Sequence, residues 1–60
     1  MKRPNLDRVM EIVSNDENIG ICLNCGNEQP AEPDARNYNC DICEQPRVFG
    51  AEEILLNQLF

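Results

Sequence analysis

The sequence contains no histidine and no tryptophan, and Ser14 is its only serine or threonine. Without histidine it lacks the commonest general base of enzymes and one member of the serine–histidine hydrolase arrangement. The chain also offers no second hydroxyl nucleophile of this type. We therefore expect a protein that is not an enzyme and that has no small-molecule substrate.

Aromatic residues are scarce, and the chain is short. Tyr38, Phe49 and Phe60 are the only aromatics among 60 residues, of which 42% are hydrophobic. A core of this size contributes roughly 3–5 kcal/mol, so a fold of this length usually needs a further stabilising element. A structural zinc ion supplies on the order of 10 kcal/mol, enough to make folding depend on the metal.

Long apolar runs are absent as well. No stretch approaches the roughly 18 residues of a membrane span, and the charged start Met1-Lys2-Arg3 is not followed by the apolar region of a secretory signal. We expect a cytoplasmic protein without membrane contact. Thiols remain reduced in that compartment, which favours metal ligation by the cysteines over the alternative of two disulfides.

Basic residues are few: five face eleven acidic residues, for a formal net charge of −6. Four thiolates around one divalent cation bring the loaded chain to about −8. Such a charge repels phosphate backbones, so nucleic-acid binding by the chain alone is not expected. Most of the carboxylates form a solvated surface; mimicry of DNA by an acidic inhibitor is an alternative interpretation.

What the sequence does contain is two matched cysteine pairs, Cys22-x-x-Cys25 and Cys40-x-x-Cys43, separated by fourteen residues. Each pair directs two sulfurs to a common point, so together they predict a tetrahedral site for one Zn²⁺. Four thiolates complete the coordination sphere and leave no position for water or substrate. The spacing therefore predicts a structural metal site rather than a catalytic one.

Two other uses of the cysteines stay open. An iron centre with four cysteine ligands, as in rubredoxin, would make the protein an electron carrier, but the aromatic core expected beside such an iron is missing. A redox-active Cys-x-x-Cys needs a thiolate of low pKa at a helix start. Here a strand is expected before each pair, and Asp41 and Glu44 beside the second pair would raise the pKa of its thiols.

Hydrophobic periodicity predicts two helices around the cysteine segment. Asn5 is the expected cap of a helix over about 5–14, whose inward stripe is read as Leu6, Val9, Met10 and Val13. A second helix is expected over about 51–59, capped by Gly50, with an inward stripe of Ala51, Ile54, Leu55 and Leu59. The whole chain, 1–60, is read as one metal-stabilised α+β domain, a zinc ribbon with short β-hairpins over about 19–49 flanked by these helices.

The residues after each cysteine pair matter for the turns. Gly26 follows the first pair, where such turns need a left-handed backbone that glycine adopts without steric cost. The equivalent residue of the second pair is Glu44, and a left-handed conformation there would cost roughly 1 kcal/mol.

Two groups of residues are predicted to make contacts beyond the metal. Apolar residues left over from the helix stripes, Ile12, Leu56 and Phe60, are the hypothesised surface for a protein partner or for self-association. Symmetric pairing around the second cysteine turn would place Arg36 opposite Arg47 and Tyr38 opposite residue 45. We expect Asp34, Glu44 or the metal centre to neutralise the charge of these arginines. The alternative is that the arginines contact a small anion or a nucleic acid, with Tyr38 stacking on it.

Finally, a longer pattern includes ordered residues outside the cysteines. The run Pro33-Asp34-Ala35-Arg36-x-Tyr38-x-Cys40-x-x-Cys43, followed by Val48-x-Gly50-Ala51-Glu52-Glu53-x-Leu55, resembles small zinc-ribbon proteins of phages, prophages and bacteria. The resemblance extends from residue 19 to 56 and implies a fold and a phage or bacterial setting, but no particular activity. Glu44 departs from the glycine usual in this group. The expected role is a small protein-interaction module, with a nucleic-acid-associated ribbon in a larger complex as the alternative.

Overall fold

The computed structural model describes residues 2–60, which form a small α+β arrangement of two helices and one sheet. This confirms the coarse fold class predicted from the sequence. The elements in chain order are α1 (Leu6–Ser14), β1 (Ile19–Cys22), β2 (Glu28–Pro30), β3 (Val48–Gly50) and α2 (Ala51–Leu56).

The sheet has three antiparallel strands in the order β2-β1-β3, with β1 in the centre. Ile21 of β1 lies opposite Glu28 on one side and Phe49 on the other, and Cys22 lies opposite Val48. The hairpin between β1 and β2 contains the first cysteine pair, and β3 follows the second. One end of the sheet therefore carries both pairs.

Asn5 caps α1 as predicted, because its side-chain oxygen accepts hydrogen bonds from the backbone N–H groups of Asp7 (2.8 Å) and Arg8 (3.4 Å). The predicted inward stripe of α1, however, is partly wrong. Val9 and Ile12 are the buried residues, whereas Leu6 is 41% and Met10 is 49% exposed. Residues 9, 12 and 13 form an equally good helical stripe, and periodicity does not tell which of two overlapping stripes docks.

The second helix is shorter than the predicted 51–59 because α2 ends at Leu56. Gln58 adopts a left-handed backbone (φ 53°), the N–H of Leu59 donates to the carbonyl of Ile54 (2.9 Å), and that of Gln58 to Leu55 (3.3 Å). These bonds make a Schellman motif that returns Leu59 to the core. Glycine is the usual residue at this position. Because Gln58 occupies it, the sequence did not indicate that the helix ends here.

The core has two parts. The helix cluster is composed of Val9, Ile12, Ile21, Ala51 and Ile54, against which Phe49 and Phe60 also pack. The cysteine cluster is composed of Cys22, Ala31, Ala35, Cys40 and Val48, with Cys25 and Cys43 packed against it. Sulfur thus supplies much of the second cluster. None of the helices within residues 2–60 has the length and hydropathy needed to cross a bilayer.

Candidate metal centre

The first cysteine pair lies in a tight turn between β1 and β2, which we call the first knuckle (residues 22–27). The N–H of Cys22 donates to the carbonyl of Asn27 (2.8 Å), and the N–H of Gly26 donates to the carbonyl of Cys22 (2.8 Å). Gly26 has φ of 85°, the left-handed backbone predicted for this position. Glycine at residue 26 therefore adopts the backbone of this turn without the steric cost that a side chain would add.

The second knuckle (residues 40–45) repeats the same hydrogen bonds. The N–H of Cys40 donates to the carbonyl of Gln45 (2.9 Å), and the N–H of Glu44 donates to the carbonyl of Cys40 (3.0 Å). Glu44 has φ of 63°, so a residue with a side chain occupies the left-handed position. This conformation costs about 1–2 kcal/mol, which the rest of the fold must offset.

The two knuckles bring all four sulfurs together. Every Sγ lies within 4.8 Å of the other three, and two of the distances between the knuckles, Cys22 to Cys43 and Cys25 to Cys40, are 3.6 Å. All four are free thiols, and Cys22 and Cys40 are buried. A tetrahedral ion with metal–sulfur bonds of about 2.3 Å needs sulfurs about 3.8 Å apart. The four thiols fit one such ion.

Several N–H groups point at these sulfurs. The backbone N–H of Asn24 donates to Cys22 (3.3 Å), and that of Ile42 donates to Cys40 (3.4 Å), an equivalent bond in each knuckle. The side-chain amide of Asn24 also crosses to the other knuckle and donates to Cys43 (3.4 Å). N–H donors stabilise negative sulfur, so the peptide backbone is arranged for thiolates.

The pKa values of the thiols reflect these contacts. The N–H of Cys43, followed by that of Ile42, lowers the pKa of Cys40 to about 6 against the opposing effect of burial. The pKa of Cys43 is lowered, chiefly by the side-chain amide of Asn24. For Cys25 the N–H of Asn27 acts in the lowering direction, but burial and hydrogen bonds to the other thiols raise its pKa to about 11. A bound cation would replace protons held within this cluster.

Replacing Asn24 tests the contribution of the bond between knuckles. In Asn24→Ala, Cys43 loses its side-chain donor while the backbone N–H bonds remain. We expect metal affinity to fall about tenfold, the lower end of the range for residues that support metal ligands, because Asn24 is exposed. Competition with a chromophoric chelator at constant pH measures this affinity.

Ile42 provides the matched control. It occupies the position of the second knuckle equivalent to Asn24, is 70% exposed and has no side-chain donor. Ile42→Ala should leave the metal affinity unchanged. Equal affinities for Asn24→Ala and the unmodified chain would show that the amide contributes nothing to the site.

The predicted pairing of Arg36 with Arg47 is wrong. Tyr38 pairs with Val48, through hydrogen bonds in both directions (3.1 and 3.0 Å), rather than with residue 45. The loop between Tyr38 and Val48 therefore includes the whole second knuckle. The residue opposite Tyr38 lies three positions later in the chain than expected. Arg36 and Arg47 nevertheless line one hollow of about 430 Å³, whose lining does not include Tyr38.

Glu53, rather than Asp34, Glu44 or the metal centre, is the anion paired with Arg36. The Nε of Arg36 lies 2.6 Å from Oε1 of Glu53, and the side-chain amide of Asn57 donates to the same oxygen (2.7 Å). Glu53 is only 4% exposed, although most carboxylates of the chain were expected at a solvated surface. Its two hydrogen-bond partners compensate for its burial. The sequence carried a signal for this: residues 53 and 57 are one helical turn apart.

The three residues predicted to form an interaction surface have different fates. Ile12 is 1% exposed and belongs to the helix cluster, so its assignment as a spare apolar residue is wrong. Phe60 is half-buried against that cluster. Leu56 is 79% exposed on α2, as expected for a residue off the inward stripe.

The fold and the site define a small α+β protein with a candidate metal centre of four thiols. No protein-family model matches the chain, and comparisons with curated proteins and with solved structures likewise found no match. The function is therefore inferred from the site itself.

Proposed function

We propose that Cys22, Cys25, Cys40 and Cys43 hold one Zn²⁺ in a closed structural site, and that the protein is a zinc ribbon. The observation that carries this proposal is the mutual approach of four Sγ atoms within 4.8 Å. Four sulfur donors at tetrahedral separation suit zinc or iron, and they suit hard cations such as Mg²⁺ or Ca²⁺ poorly.

The surroundings of the thiols favour zinc over an iron electron carrier. The hydrophobic residues packed among the cysteines are Ala31, Ala35 and Val48. Phe49 and Phe60 pack in the helix cluster instead, and Tyr38 is 43% exposed. Electron transfer thus lacks the apolar aromatic enclosure that would shield an iron–sulfur centre from water.

The role we propose is that of a non-enzymatic protein-interaction module, one that fits the accessory proteins of phages or prophages in a bacterial cytoplasm. A closed four-thiolate site supplies no position for substrate, and the net charge of −6 opposes independent binding to nucleic acid. The metal would hold the sheet and knuckles rigid. The exposed helical surface would then be available to a partner protein.

Cobalt substitution tests the closed site. The chain reconstituted with Co²⁺ should take up one ion and show the visible bands of tetrahedral cobalt with sulfur-to-metal charge transfer. Because no coordination position is open, adding azide should leave the spectrum unchanged. Metal analysis of the chain purified from cells should give one zinc per chain and no iron.

Three results would contradict this proposal. A shift of the cobalt bands with azide would indicate an exchangeable position and hence a reactive metal. Visible iron–thiolate absorption in the purified chain would support electron transfer. Cysteines joined in disulfides would not react with thiol reagents, and they would leave no thiolates to bind a metal.

A further inference from the structure

The two helices present a continuous hydrophobic surface that the fold itself does not cover. Leu56 is 79%, Met10 is 49% and Leu6 is 41% exposed. Val13 and Leu55, both half-buried, lie at its inner edge. We call these five residues, Leu6, Met10, Val13, Leu55 and Leu56, the apolar face.

The two halves of the apolar face meet at Val13. Leu6, Met10 and Val13 follow one another at intervals of four and three residues and so share one side of α1. Val13 also lines a hollow of about 420 Å³ together with Leu55 and Leu56 of α2. The result is a shallow groove between two helices, a shape that accommodates the apolar side of a third helix.

The end of this groove is acidic. Glu52 forms part of the wall of the same hollow, and Glu52 and Asp16 line the adjacent depression between the end of α1 and the start of α2. Both carboxylates are exposed. The chain as a whole carries a net charge of −6. A ligand for this groove is therefore favoured when its polar residues are basic.

We propose that the apolar face binds a basic amphipathic helix of a partner protein, with leucine-like residues one turn apart and flanking lysine or arginine. This rests on the proposed role as an interaction module and specifies the chemistry of the partner. The leucines enter the groove beside Leu56, and the basic residues approach Glu52 and Asp16. A second copy of the chain is a poor occupant, because two chains of charge −6 repel each other.

The test uses the zinc-loaded full chain and three fluorescently labelled 14-residue peptides. One contains lysine and leucine in an amphipathic helical pattern, one has the same composition in a scrambled order, and one has glutamate in place of lysine. Fluorescence anisotropy measures binding at physiological ionic strength. We expect the patterned lysine–leucine peptide to bind at least about tenfold more tightly than either control, because only it matches both the groove and its charge.

Two surface variants localise the binding. Leu56→Asp places a charge in the groove and should weaken binding by about tenfold or more, the effect of losing one buried leucine. Ile42→Asp is the matched control, since Ile42 is 70% exposed but lies on the second knuckle. It should change the dissociation constant less than twofold. Glu52→Gln should weaken binding about threefold and reduce its dependence on salt.

The outcomes separate this inference from the proposed function. Leu56→Asp should retain one zinc and the melting temperature of the unmodified chain, because its side chain is exposed on α2. Ile42→Asp, which adds a charge beside the thiols, is measured at saturating zinc. Met10→Asp serves as a second probe of the face. Equal binding of patterned and scrambled peptides, or equal effects of Leu56→Asp and Ile42→Asp, would overturn the inference while leaving the zinc site intact. A concentration-dependent dimer abolished by Leu56→Asp would overturn it in favour of a second copy.

Discussion

Removal of the proposed zinc ion with excess chelator is expected to unfold the entire chain rather than the knuckles alone. A structural zinc ion contributes on the order of 10 kcal/mol, whereas the apolar core of so small a domain supplies roughly 3–5 kcal/mol. No side chain in the cysteine cluster is larger than valine. Without the ion, the four thiols no longer link the two knuckles. The remaining contacts then do not offset the conformational entropy that the chain loses on folding.

The same result is expected from a single substitution. Cys40→Ser removes one sulfur of the tetrahedral set at a side chain that is 2% exposed. Ile42→Ser, two residues away in the same knuckle, is the control, because that side chain is 70% exposed and contributes no sulfur. Far-UV circular dichroism and thermal melting should show an unfolded Cys40→Ser chain and a native Ile42→Ser chain.

A cooperative melt that survives exhaustive chelation would contradict the expectation. It would mean that the helix cluster, with Val9, Ile12, Ile21 and Ile54, is sufficient for folding. Restoration of the fold by one equivalent of zinc, and not by magnesium, would show that the thiol site is responsible for any unfolding seen.

Gly50→Ala is expected to destabilise the metal-loaded chain by about 3 kcal/mol, which lowers the melting temperature by roughly 10–25 °C. Gly50 has φ of −69° and ψ of 157°, values that alanine also adopts, so backbone strain is not the reason. The reason is space: a Cβ would lie deep inside the van der Waals radii of the carbonyl oxygens of Glu32 and Pro33.

Two hydrogen bonds depend on this close approach. The N–H of Gly50 donates to the carbonyl of Ala35 (3.0 Å), and the N–H of Glu53 donates to the carbonyl of Pro33 (3.2 Å). Moving the 32–35 loop aside to accommodate a methyl group would stretch both. Each such bond is worth about 1 kcal/mol, in addition to the cost of overpacking.

Gly26→Ala makes the same chemical change in a different setting. Gly26 has positive φ, and the nearest obstacle to a Cβ is the flexible side chain of Lys2, whose Cδ lies at 3.0 Å. We expect a loss of about 1 kcal/mol from the left-handed backbone alone. Melting temperatures of the three chains measured by calorimetry with zinc bound check this order. A Gly50→Ala chain as stable as Gly26→Ala would refute the steric argument.

Much of the local structure was predictable because its causes are local. Asn5 indicated the start of α1, a strand was predicted before the first cysteine pair, where β1 lies, and Gly26 indicated a left-handed turn. The convergence of the sulfurs followed from the paired spacing, since each Cys-x-x-Cys turn fixes two of them with its own backbone hydrogen bonds.

The errors arose where distant segments compete for the same contact. Ile12 rather than Met10 faces the core because α2 and β1 pack against that side of α1. Glu53 is buried because Arg36, seventeen positions earlier in the chain, and Asn57 supply its hydrogen bonds. The left-handed Gln58 ended α2 early because Leu59 gains burial by turning back.

The order of residues alone determined the donor atoms, the charge and the two turns that present the sulfurs, because each depends on residue type and on neighbours a few positions away. The tertiary structure decided which helix faces are covered, which arginine meets a carboxylate and where the apolar face lies. Those choices depend on burial and charge pairing between segments far apart in the chain. Burial and charge pairing of this kind contribute free energy only when the segments are packed together.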